Sequence, residues 1–271
     1  MTFAIASAAS CNNGGNSSET KNNGDSAQVV SSNIQEDSLT YKLDGKEYEG
    51  FVSYNKDQKG KRPAILVVHE WWGLTGYTRR RAKQLADLGY IAMAVDMYGD
   101  GDTAEDPQAA QALATPFYKD PTLAKKRLDA AVDILKTYPQ ADTSKMAAIG
   151  YCFGGFVVLN AAKLGADLKG VVSFHGGLTG VKPDKNLLKA KLLVCQGGDD
   201  QFEGPHVAEF KKEMDSVGAD YTFIVYPGAN HAFSNPEATA KGKKYNMPIS
   251  YNAAADTASW NEMKTFFKKL F

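Results

Sequence analysis

Short, continuous apolar runs separated by stretches of helical length constrain this chain more than any other feature. Residues 63–69, 90–96, 146–151, 169–174, 191–196 and 221–226 each read as a strand. Helical patterns fall at 77–88, 123–137, 155–164, 205–217 and 253–270. A strand that is apolar along its whole length is buried on both faces, and helices between such strands supply the cover. The pattern predicts an α/β fold with a mostly parallel central sheet flanked by helices. Residues 39–43 and 46–54 flank Asp44-Gly45, a two-residue turn signal, and predict an N-terminal antiparallel hairpin. The Gly-, Asp- and Ala-rich stretch between Asp96 and Leu123 reads as a connection.

Residues 12–32 are dominated by Asn, Gly and Ser, which cannot bury enough apolar surface to offset chain entropy. Residues 1–38 are therefore expected to be a disordered tether, and 39–271 one domain, a size that suits a single core. The apolar segment from Phe3 to Cys11 resembles the end of a bacterial lipoprotein signal, which makes Cys11 a candidate lipidation site and the cell envelope or periplasm the expected location. It departs from that pattern in having no preceding basic residue and a short apolar stretch. The alternative is an unstructured N-terminus with an incidental cysteine, in a cytoplasmic protein.

Lys+Arg and Asp+Glu are both 31, a balance that gives no support for a nucleic-acid partner. No stretch approaches the roughly 18 apolar residues of a membrane span. A small-molecule partner is expected, and no oligomeric state can be read. Cys11, Cys152 and Cys195 are too few and too far apart for a disulfide framework or a C-x-x-C site. Cys195 lies in an apolar run and reads as a small buried hydrophobe. No nucleotide-binding glycine loop, metal-ligand cluster or cofactor lysine motif stands out, so neither cofactor nor metal is expected.

In parallel sheets, functional groups collect at the carboxyl ends of the strands. The residues just after the apolar runs include His69-Glu70, Asp96, Cys152, His175, Asp200 and His231. Gly150-Tyr151-Cys152-Phe153-Gly154-Gly155 lies between a strand and a helix, and is the G-x-S-x-G nucleophile elbow with Cys in place of Ser. That sharp turn needs Gly two residues before and two after the nucleophile, and it sets the sulfur at a helix N-terminus, where free N–H groups favour a thiolate. An acid and a histidine should follow in that order. Asp200, in Gly197-Gly198-Asp199-Asp200, and His231 meet the requirement as orienting acid and general base. Asp199 reads as a solvated neighbour, and His175 and His206 as structural or surface residues.

Five pieces, His69-Glu70-Trp71-Trp72-Gly73, Asp96-Met97-Tyr98-Gly99, the cysteine elbow, Gly197–Phe202 and His231-Ala232-Phe233, together resemble the dienelactone hydrolase family of the α/β-hydrolase fold. They span nearly the whole folded part. The resemblance implies cleavage of an ester or lactone through a Cys152–His231–Asp200 triad and a thioester acyl-enzyme. It implies that Glu70 holds or accepts the Cys152 proton, that the backbone N–H groups of Trp71 and Phe153 form an oxyanion hole, and that Trp72, Phe202 and Phe233 wall the substrate pocket. One departure stands out. Family members acting on a carboxylated dienelactone carry an arginine four residues after the histidine, and here that position is Asn235. The nearest basic residues are Arg79, Arg80, Arg81 and Lys119, none a clear substitute, so the carboxylated substrate is in doubt. The segment 235–252 resembles an extended C-terminal loop of a family subgroup. Two other readings remain open: a general carboxylesterase or deacetylase of the cell envelope, and a non-catalytic small-molecule binding protein on the same fold.

Overall fold

The computed structural model describes residues 33–271; Cys11 and the segment expected to be a tether as far as residue 32 lie outside them. The chain runs β1 (Ile34–Leu43), β2 (Lys46–Asn55), β3 (Arg62–Val68), α1 (Gly76–Asp87), β4 (Ile91–Val95), α2 (Pro107–Lys119), α3 (Pro121–Lys136), β5 (Ala141–Tyr151) and α4 (Phe153–Lys163). It continues through β6 (Gly170–Phe174), β7 (Lys191–Gly197), α5 (Val207–Ser216), β8 (Tyr221–Tyr226), α6 (Ala238–Tyr245) and α7 (Ala253–Leu270).

The eight strands form one sheet in the order β1-β2-β4-β3-β5-β6-β7-β8. β1 pairs antiparallel with β2, and β2 with β4; from β4 through β3 to β8 every pairing is parallel. This is the mostly parallel α/β-hydrolase sheet with its N-terminal hairpin. Alternate residues of the apolar strands feed two cores. Ala64, Leu66 and Val68 of β3 face the core shared with Leu128 and Leu135 of α3 and Phe156 of α4. Ile65 and Val67 face the opposite core, with Leu85 of α1 and Met263 and Phe267 of α7. Burial on both faces is why these strands are apolar throughout.

Three elements depart from the sequence expectation. β1 starts at Ile34, inside the segment expected to lie outside the fold, because its backbone pairs with β2 as far as Ile34–Asn55 and Glu36 forms ion pairs with Arg79 and Lys83. The stretch read as a connection contains α2, which opens on Pro107 with the Asp106 carboxylate capping the N–H of Ala109 at 2.9 Å. Residues 235–252 contain α6, closed by Asn246 in the left-handed conformation (φ 52°, ψ 48°).

From β3 the chain steps outward to β4, then crosses back over β3 to β5. Strand order reverses at the β3–β5 boundary, and the crevice above such a reversal is where open α/β sheets bind ligands. The residues leaving β3 and β5 are His69 to Trp72 and Cys152.

Candidate active site

Cys152 follows β5 and caps α4 with φ 52° and ψ −113°, a strained conformation that turns its side chain up from the sheet. Two close approaches make the turn possible. A Cβ on Gly150 would lie 2.0 Å from the carbonyl oxygen of Gly154, and one on Gly154 would lie 2.3 Å from the carbonyl oxygen of Val68. Both neighbours are backbone and cannot swing aside. The glycines flanking the elbow are therefore required by space.

The structure brings three of the expected residues into a row. Cys152 Sγ lies 3.1 Å from His231 Nε2, and His231 Nδ1 lies 2.8 Å from Asp200 Oδ2. His231 sits just beyond β8 and Asp200 just beyond β7, so one sheet edge supplies all three. Asp200 is held on every side. Its Oδ1 accepts the N–H groups of Phe202 (2.9 Å) and Glu203 (3.1 Å), and its Oδ2 also accepts from Gln196 Nε2 at 2.7 Å. Burial alone would raise the Asp200 pKa, but the bond and charge of His231 and these amides hold it below the usual carboxylate value. Burial works against the charged form of His231 as well. There the charge of Cys152 and the hydrogen bonds to Asp200 and Cys152 prevail, and the imidazole stays protonated well above its ordinary pKa. An imidazolium facing a sulfur is the environment a reactive thiolate needs. Asp199 is exposed beside this row.

Glu70 is buried at the wall of the same cavity, but its carboxyl is engaged elsewhere. Asn235 Nδ2 donates to Glu70 Oε2 at 2.6 Å, and the sulfur of Cys152 faces His231. The family resemblance implies that Glu70 holds or accepts the thiol proton; here its Oε2 accepts from Asn235 while the sulfur is directed at His231. Burial raises its pKa, against the opposing pull of the Asn235 bond and the charges of Lys241 and His231.

His69 fixes the peptide between Glu70 and Trp71. Its Nε2 accepts the N–H of Met97 at 3.2 Å, which leaves Nδ1 to donate to the Glu70 carbonyl at 2.5 Å. The same carbonyl accepts the N–H of Gly73 at 3.2 Å. Because a trans peptide is planar, pinning this carbonyl fixes the opposite direction for the Trp71 N–H. The Phe153 N–H is the first of α4, and first-turn amides have no partner within their own helix. Burial pushes the His69 pKa down to about 4, so the ring that does this pinning is neutral.

A cavity of about 260 Å³ opens over Cys152. Trp71, Trp72 and Phe202 line it as expected, together with residues that sequence reasoning missed: Gln111 and Tyr118 from α2, Phe156 from α4, Thr179, Glu203, and Met247 and Ile249 beyond α6. Phe233 does not line it. Ala232 takes a left-handed backbone (φ 60°) and faces the cavity, and the next side chain turns inward, fully buried against His175 and Tyr226. His175 is likewise buried. Its Nε2 lies 2.7 Å from Ser234 Oγ, and its ring stands edge-on to His231 at 5.3 Å between centroids. It is off the cavity lining, and His206 is exposed on a single 3-10 turn. None of the basic residues considered as substitutes lines the cavity. Arg79 pairs with Glu36, Arg80 with Glu237 and Arg81 with Asp256, and Lys119 lies off the lining. Among the described residues no group of three or more His, Cys, Asp or Glu could hold a metal ion, and no helix is long and apolar enough to cross a membrane.

The chain matches the dienelactone hydrolase family model over residues 49–271. A Methylorubrum extorquens protein that carries the name carboxymethylenebutenolidase is 30% identical over 222 residues, covering 78% of this chain and 73% of that one. A Yersinia pestis protein with the same name is 28% identical over 240 residues, 82% of this chain and 84% of the other. Among solved structures, a dienelactone hydrolase-like promiscuous phosphotriesterase from metagenomic libraries superposes with a TM-score of 0.83 at 32% identity, covering 88% of this chain and 99% of that one.

Proposed function

The chain belongs to the dienelactone hydrolase family and is an ester or lactone hydrolase; on that premise we propose that Cys152 is its nucleophile, His231 its general base and Asp200 the acid that orients the base. The observation carrying this reading is the unbroken row from Cys152 Sγ through both nitrogens of His231 to Asp200 Oδ2, with contacts of 3.1 and 2.8 Å.

In the proposed cycle Cys152 and His231 rest as a thiolate–imidazolium pair, the thiol proton already on His231 Nε2, and the thiolate attacks the carbonyl carbon of the substrate. The oxyanion that forms is held by the N–H groups of Trp71 and Phe153, worth roughly 3–4 kcal/mol of transition-state stabilisation for each such donor. The bond from carbon to the leaving oxygen breaks, His231 returns the proton to that oxygen, and a thioester remains on Cys152. A water then gives its proton to Nε2, attacks the thioester, and releases the acid as the thiolate departs. Asp200 keeps Nδ1–H directed away from the sulfur, so that Nε2 is the nitrogen that exchanges protons. Glu70 is assigned to the wall, one of its oxygens held by Asn235.

The test is turnover of short-chain p-nitrophenyl esters, acetylated sugars and dienelactones by wild type beside Cys152→Ala, with intact-mass detection of an acyl adduct. Loss of turnover in the variant and an adduct on Cys152 in wild type are expected. Undiminished turnover in Cys152→Ala would remove the cysteine from the mechanism.

A further inference from the structure

We propose that the cavity is built for uncharged, apolar esters and lactones and that it discriminates against substrates bearing a carboxylate; this rests on the hydrolase reading above. The argument begins with what surrounds the sulfur. Aromatic side chains dominate the wall: Trp71, Trp72, Tyr118 and Phe156, with Phe202 at the rim. Among the described residues, the ionisable acids and bases on it besides Cys152, His231 and the Tyr118 phenol are two carboxyls, Glu70 and Glu203, and no Lys or Arg lines it.

Each candidate counter-ion for an anionic substrate is otherwise engaged. The guanidinium groups of Arg79, Arg80 and Arg81 pair with Glu36, Glu237 and Asp256. Lys241 stands 4.4 Å from the centre of the Trp72 ring, outside the lining. Asn235 offers a neutral amide and gives it to Glu70. The His231 imidazolium is shared between Asp200 and the sulfur.

Glu203 sharpens the selection. One of its oxygens accepts the N–H of Leu178 at 2.9 Å, which fixes the carboxyl at the wall. A carboxylate brought into this space would lose water, find no Lys or Arg on the described lining to pair with, and face two acidic groups. Groups that repel a wrong ligand add to the discrimination that a missing attraction supplies. Glu203 is thereby a specificity-determining residue.

The experiment compares p-nitrophenyl valerate with mono-p-nitrophenyl glutarate, two esters with the same leaving group and acyl chain that differ in a terminal methyl or carboxylate. We expect kcat/KM to favour the valerate by about a hundredfold or more, and Glu203→Gln to narrow that ratio. A wild-type ratio near one, or a preference for the glutarate, with turnover lost in Cys152→Ala, overturns the inference and leaves the hydrolase reading intact. A second readout needs no turnover: the rates at which neutral iodoacetamide and anionic iodoacetate alkylate Cys152, each relative to free cysteine. Preference for iodoacetamide beyond that of free cysteine supports the inference, and preference for iodoacetate overturns it. If neither ester is hydrolysed while the alkylation preference holds, the proposed reaction fails and the charge selection stands.

Discussion

Asn235→Ala removes the donor to the buried Glu70 carboxyl, and its cost is expected to depend on pH. The two residues are 2% and 5% exposed and are joined at 2.6 Å. Leaving a buried acceptor without its donor costs about 1–3 kcal/mol, more when the acceptor is charged. Burial raises the Glu70 pKa, against the opposing pull of Asn235. A carboxyl whose folded pKa exceeds its unfolded value contributes fully below the unfolded pKa, and that contribution is lost as pH rises through the folded pKa. Without Asn235 the folded pKa rises further, so the extra loss develops across the interval between the wild-type and variant values. Each unit of that interval is worth about 1.4 kcal/mol. The expected destabilisation is smaller at acid pH, about 1 kcal/mol, and larger at alkaline pH, about 2–3 kcal/mol. Urea unfolding of wild type and variant at both pH values measures it, and the same comparison in a Glu70→Gln background should lose the pH dependence. An equal loss at the two pH values would refute the claim that Asn235 acts by supporting the carboxylate.

Three further outcomes are expected. Asp200→Asn should lower kcat by about 10²–10⁴-fold with the circular-dichroism spectrum unchanged, and full activity would place the orienting acid elsewhere. Gly154→Ala would set a Cβ 2.3 Å from the Val68 carbonyl oxygen, and should cost at least about 3 kcal/mol, read as a fall in Tm; a wild-type Tm would contradict the close approach. His69 and His175 are buried with pKa values held low mainly by that burial, so their contribution is present above the unfolded value and is lost as pH falls through it. For His69 the fall from 6.5 to about 4 sets the window, and the shift is worth about 3 kcal/mol. The urea midpoint should drop across this window and His69→Asn should flatten the drop; an unflattened drop would show that other groups cause it.

What the sequence made legible was whatever a local pattern encodes. Uninterrupted apolar runs identified the parallel strands because burial on both faces leaves no polar alternation. The elbow was readable because Gly150 and Gly154 are required by backbone within a few residues of Cys152. What escaped depends on contacts between distant segments. Asn235 could be recognised as a missing arginine, but its bond to Glu70 spans 165 positions and leaves no local trace. Phe233 looked like a wall residue from its place beside His231, whereas the left-handed turn at Ala232 sends it into the core. α2 was hidden by an Ala-rich composition with Pro116 inside it, although Asp106-Pro107 carries a readable start signal.

The origin of the cavity wall has a consequence for how such a protein can change. The row of reacting atoms stands on the ends of β5, β7 and β8, anchored in the sheet. Part of the wall, Gln111 and Tyr118 of α2 and Met247 and Ile249 after α6, comes from outside the sheet. Those two pieces meet: Tyr245 of α6 stacks on Trp72 at 6.1 Å between ring centres, and its hydroxyl bonds the Glu105 carbonyl just ahead of α2. The bond-breaking row and this part of the wall are therefore carried by different segments of the chain. Replacing Gln111, Tyr118, Met247 or Ile249 can move the range of accepted substrates while the chemistry beneath stays constant, and a library confined to these positions is the economical place to search for new activities.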